Sequence, residues 1–97
     1  MYTVEETPTF QRAVTKIWSD AERIEFISWI AANPLAGDLV RGSRGARKVR
    51  WGIKGQGKSG GARVVTVTEV LEGVVILVTI YAKSDRSTIT PSEIERI

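Results

Sequence analysis

Over residues 74–81 the chain reads Val-Val-Ile-Leu-Val-Thr-Ile-Tyr, apolar at nearly every position. The run is far too short to span a membrane as a helix, is rich in β-branched residues and follows a Glu72-Gly73 turn signal. Together these predict a strand at the centre of a sheet. A central strand needs partners on both sides. Residues 63–71, rich in Val and Thr, supply one across the turn. Lys48-Val49-Arg50-Trp51-Gly52 supplies another by alternation, with Val49 and Trp51 on one face and Lys48 and Arg50 on the other.

The first third of the chain has a different period. Ser19-Asp20-Ala21-Glu22 reads as a capping box, Ser19 as N-cap and Glu22 reaching back to it. It opens a helix over residues 21–32 with Ile24, Ile27, Ile30 and Ala31 at helical spacing. Asn33-Pro34 stops that helix, and Gly37-Asp38 continues the turn. An earlier helix is expected over about residues 9–18, with Pro8 near its first turn, and a short first strand over residues 2–4. Thr90-Pro91-Ser92-Glu93 is a second capping box, starting a short C-terminal helix. The expected class is α+β: an N-terminal helical hairpin packed on a small, mostly antiparallel sheet, then a short C-terminal helix. Residues 1–97 are expected to form a single domain, since chains usually divide only beyond roughly 250–300 residues.

With 42% of residues apolar, a packed core is affordable and disorder is not expected. The sequence has neither cysteine nor histidine. Disulfides and thiolate metal sites are thereby excluded, and the commonest general base and neutral metal ligand are missing. No metal and no small-molecule cofactor are expected, and any catalysis must run on Lys, Arg, Tyr, Ser/Thr or carboxylates. The N-terminal residues 1–6 do not read as a signal peptide, and no apolar run approaches the roughly 20 residues of a membrane span. A cytoplasmic location with no membrane partner is expected.

The distribution of charge says more than the net +3. Residues 41–63 contain eight cations (Arg41, Arg44, Arg47, Lys48, Arg50, Lys54, Lys58 and Arg63) and no acid, while the rest of the chain holds six cations against eleven acids. Such a concentration marks a polyanion-binding face. Lys48 and Arg50 project from one sheet face, Arg63 begins the next strand beside them, and Lys83 and Arg86 follow the last strand toward the same edge. Arg44, Arg47, Lys54 and Lys58 extend the surface as candidate RNA-binding residues. Arginine grips a phosphate bidentately and stabilises added negative charge. A lysine crowded by other cations gives up its proton more readily, which makes it a candidate general base for a ribose 2′-hydroxyl. These groups suffice for a ribonuclease without histidine or metal; a face that only binds nucleic acid has the same pattern.

Gly52-Ile53-Lys54-Gly55-Gln56-Gly57-Lys58-Ser59 matches the Walker A pattern letter for letter. A phosphate-binding loop needs a parallel strand before it and a helix after it. Here strand-like Ala62-Arg63-Val64-Val65 follows, so the segment reads as a cationic hairpin loop instead.

Asn33-Pro34 and Gly37-Asp38, then Gly42-Ser43-Arg44-Gly45-Ala46-Arg47-Lys48-Val49-Arg50, then Gly57-Lys58-Ser59-Gly60-Gly61-Ala62-Arg63 form an ordered series that resembles the signature of RelE/HigB-like toxins. Tyr81-Ala82-Lys83-Ser84 and the segment from Thr88 to Glu93 resemble that family's closing motif. The resemblance runs from about Phe10 onward. It implies a RelE-like fold with helices on a small twisted sheet, and the toxin role in a toxin–antitoxin pair. It further implies metal-independent endoribonuclease activity on mRNA in the ribosomal decoding site, by 2′-hydroxyl attack on the adjacent phosphate, with neutralisation by a cognate antitoxin. Carried over by position, the catalytic candidates are Lys48, Arg50, Arg63, Lys83 and Arg86. The tyrosine that some relatives carry near the C-terminus is replaced by Thr90, which leaves Lys48 or Lys83 as the general base, and Tyr81 is expected to pack in the core. Trp29 and Trp51 are expected in the core as well, with Trp18 a candidate antitoxin contact. A ParE-like gyrase inhibitor and a non-catalytic nucleic-acid-binding module are the competing readings.

Overall fold

A computed structural model describes residues 1–53 and 61–97. Most of the Walker-like segment, including Lys54 and Lys58, lies outside the described residues. In chain order the elements are β1 (Thr3–Glu6), α1 (Pro8–Val14), α2 (Asp20–Ala32), β2 (Asp38–Leu39), β3 (Ala46–Trp51), β4 (Ala62–Glu69), β5 (Val74–Ala82) and α3 (Pro91–Glu95). They build an α+β fold around one sheet of order β1-β5-β4-β3-β2. The apolar strand β5 is interior, flanked by β4 and β1, as its composition requires. Neighbours pair antiparallel except β1, which runs parallel to β5.

Local chemistry explains the joints. After β1, the Thr7 hydroxyl donates to the Val78 carbonyl at 2.6 Å and accepts from the Phe10 amide at 3.0 Å. One residue thus ties the sheet to the start of α1 and caps it, with Pro8 in the first turn. α1 stops at Val14, earlier than expected from sequence, because the chain tightens there: Ile17 and Trp18 amides both return to the Val14 carbonyl. Ser19 then caps α2 in the expected capping box with Glu22. Arg23 pairs with Glu6 at 2.7 Å and holds α2 to β1.

The helical hairpin covers one face of the sheet. Phe10, Val14, Trp18, Phe26 and Ile30 pack there against Val49, Val64, Leu77 and Ile80. Ile24, expected on the inward stripe, is 63% exposed. Phe26 takes the inward position, and residues two apart on a helix point nearly opposite ways. Two of the tryptophans, Trp18 and Trp29, also differ from expectation. Trp18 is buried and its indole N–H donates to the Gly52 carbonyl at 3.0 Å, so it is a core residue and not a free contact. Trp51 joins the aromatic tier with Phe26 and Trp29, whereas Trp29 lies at its outer edge and stays 36% exposed.

A second, smaller cluster forms on the opposite face, where Ala46, Val65, Val78 and Tyr81 meet Ile89 and Ile94. Among the described residues, α3 and the segment leading to it pack on this side. Of Gly37-Asp38, expected to be a continuing turn, Gly37 is a bend, whereas Asp38 begins the two-residue edge strand β2, with Asp38 opposite Lys48 and Leu39 opposite Arg47. No helix among the described residues is long and apolar enough to cross a membrane.

Candidate functional site

Register decides which cations meet. Arg50 lies opposite Arg63, and Arg63 opposite Tyr81, so these three side chains form one row across β3, β4 and β5. Lys48, two residues before Arg50, projects from the same face. This face borders an open cleft of about 570 Å³ between the sheet and the approach to α3. Lys48, Arg50, Arg63, Lys83 and Arg41 line it. Ser87, Thr88 and Thr90 line the opposite wall, and Asp38 is the carboxylate at its β2 edge.

Arg63 is the most enclosed of these cations, 8% exposed, and its guanidinium donates to the Ala62 carbonyl at 3.3 Å. A buried guanidinium with limited rotamer freedom presents its fork in a defined direction, which suits bidentate phosphate binding. Lys48 is half-buried, while Arg50 and Lys83 are exposed. Lys83 is placed by its backbone, whose amide donates to the Gly61 carbonyl at 3.0 Å at the start of β4.

Arg86 sits elsewhere. Its Nη2 donates to both Glu93 carboxylate oxygens at 2.8 Å, its Nε donates to the Thr88 carbonyl at 2.8 Å, and its guanidinium carbon lies 5.5 Å from the Tyr81 ring centroid. It braces the segment after β5 against α3 and borders a separate groove beside α1. The Arg86 hydrogen bond, helped by the Thr90 backbone N–H, holds the Glu93 carboxyl below its usual range.

Of the four candidate binding residues, Arg44 and Arg47 are described, and neither lines the cleft. Arg44 is exposed, 3.7 Å from Glu95. Arg47 points from the other sheet face and donates to the Gly37 carbonyl at 3.2 Å. Lys54 and Lys58 lie outside the described residues.

Tyr81 packs in the second cluster at 7% exposure, and its hydroxyl finds no hydrogen-bond partner among the described residues. Burial pushes the phenol above its usual range, against the opposing pull of Arg63 and Arg86. It therefore stays protonated at neutral pH.

Sequence reasoning did not reach Asp38 or the hydroxyl wall. Asp38 is brought to Lys48 by an edge strand too short to show alternation. The sequence signals were its place in the Gly37-Asp38 pair of the motif series and the glycine before it, which adopts a left-handed φ of 93°.

No protein-family model matches the sequence. Among solved structures, the chain is similar to E. coli toxin RelE, determined in the free state as a double arginine-to-alanine mutant. The TM-score is 0.62 at 17% sequence identity, over 99% of this chain and 97% of that one. The chain thus has a RelE-like fold.

Proposed function

We propose that residues 1–97 form a single toxin domain of a toxin–antitoxin pair, a cytoplasmic endoribonuclease that cuts mRNA in the ribosomal decoding site. The observation that carries this reading is the convergence of Lys48, Arg50, Arg63 and Lys83 on one open cleft. A groove with that charge draws in a phosphodiester chain and lowers the energy of a phosphorane-like transition state. Arg63, enclosed and oriented, grips the scissile phosphate; Arg50 and Lys48 stabilise the charge that develops on it; Lys83 closes the far side. Arg86 acts through Glu93 and α3, as a positioning residue for the wall of the cleft. The RelE-like fold, together with the motif resemblance, supports the ribosome as the place of action and an antitoxin as the natural inhibitor.

The test is a cell-free translation reaction in which mRNA 5′ ends are mapped by primer extension, with wild-type protein, Arg63→Ala and ribosome-free mRNA. The expected result is new ends at ribosome-occupied codons that vanish with Arg63→Ala. Intact mRNA with unimpaired protein synthesis overturns the reading. A gyrase supercoiling assay and a salt-dependent RNA-binding assay then separate the gyrase inhibitor from the binding module.

A further inference from the structure

Transfer of the ribose 2′-hydroxyl proton needs an acceptor, and the cleft offers few. Arginine carries only donors, lysine accepts a proton only after losing one, and serine and threonine hydroxyls are weak bases. Among the described residues lining the cleft, Asp38 alone presents a side chain that is anionic in its ordinary state. Among the described residues it makes no ion pair, although it stands opposite Lys48 on the same sheet face.

Its placement is enforced. Gly37 has φ 93°, and a Cβ there would lie 2.7 Å from the Lys48 carbonyl oxygen, so the chain reaches β3 only because residue 37 has no side chain. The Arg47 guanidinium, from the opposite face, holds the Gly37 carbonyl at 3.2 Å. Left-handed turn, close approach and guanidinium bond together set the residue that follows at the mouth of the cleft. A carboxylate there weakens the attraction for RNA, a disadvantage that a surface used only for binding gains nothing by keeping.

We propose that Asp38 is the catalytic proton acceptor of this cleft, an assignment that rests on the ribonuclease reading above and replaces lysine in that role. The carboxylate takes the 2′-hydroxyl proton while the 2′ oxygen forms a bond to the adjacent phosphorus. The bond from phosphorus to the 5′ oxygen breaks, and that oxygen takes a proton from the ammonium of Lys48 or Lys83. The products are a 2′,3′-cyclic phosphate and a 5′-hydroxyl end, and Asp38 returns its proton to the lysine through solvent. The carboxylate as base leaves the lysines in their charged form to serve as acid.

The experiment compares wild type, Asp38→Asn and Asp38→Glu in single-turnover cleavage of mRNA on programmed ribosomes, with RNA binding and thermal melting measured in parallel. Asp38 is exposed, so the amide is accommodated without loss of packing. Expected for Asp38→Asn is a loss in cleavage rate of about 100-fold or more with unchanged melting. RNA binding should be equal or tighter. Asp38→Glu recovers part of the rate. Cleavage by Asp38→Asn at the wild-type rate overturns the assignment and leaves the ribonuclease reading standing. A wild-type protein that cuts nothing overturns both.

Discussion

Arg50 and Arg63 stand directly opposite each other on adjacent antiparallel strands, projecting from one face of the sheet. Like charges at such a position oppose folding, by about 0.2–1 kcal/mol. Arg50→Ala is therefore expected to leave stability unchanged or raise it by that amount in urea titration, while RNA affinity falls and its salt dependence becomes shallower by about one charge. A destabilised variant with unaltered RNA binding would mean that Arg50 serves the fold instead.

Two glycines of the same backbone class should respond differently to alanine. At Gly45 (φ 86°) nothing lies within 4 Å of an added Cβ, so Gly45→Ala costs only the conformational strain, about 1–2 kcal/mol. At Gly37 the added atom meets the Lys48 carbonyl oxygen as well, and the cost rises to about 2–5 kcal/mol. Urea denaturation of the two variants checks the order. Equal losses would show that β2 yields without resisting.

Glu93 links pH to the brace on α3. Its carboxyl is held below the ordinary range by Arg86, so its contribution is fully present above the unfolded glutamate range and is lost as pH falls through the lowered folded value. Wild type should melt above Glu93→Gln at neutral pH, and the two curves should converge on acidification. Added salt should narrow the gap, since the pair is solvent-accessible. A gap independent of pH would refer the effect to the helix cap.

Tyr81 tests whether the phenol takes part in the chemistry. Its hydroxyl is buried without a partner among the described residues, so Tyr81→Phe should be neutral or stabilising and should leave cleavage within about twofold. Loss of cleavage in a well-folded Tyr81→Phe variant would place the hydroxyl in the mechanism.

Features written in local spacing were legible before the fold. Ser19 with Glu22 and Thr90 with Glu93 sit three residues apart, and both capping boxes form. Lys48 and Arg50 alternate with Val49, which places the cations opposite the helix-covered face. What depends on distant pairing was hidden. The parallel β1–β5 contact joins residues about 70 positions apart, and nothing in either strand announces its direction. Arg86 looked like part of the cationic cluster because its partner, Glu93, becomes a neighbour only when α3 folds back. Asp38 was concealed twice: β2 has two residues and the preceding Gly37 reads as a turn. The RelE-like topology follows from the order of elements, whereas the composition of the cleft follows from register.

The central claim, that this cleft cuts mRNA by 2′-hydroxyl attack, is tested most directly by the chemistry of the ends it leaves. Ribosome-bound mRNA treated with the protein should yield downstream fragments with 5′-hydroxyl ends and upstream fragments with 2′,3′-cyclic phosphates, and neither should form with Arg63→Ala. Fragments with 5′-phosphate ends, or cutting that survives the loss of Arg63, would contradict it.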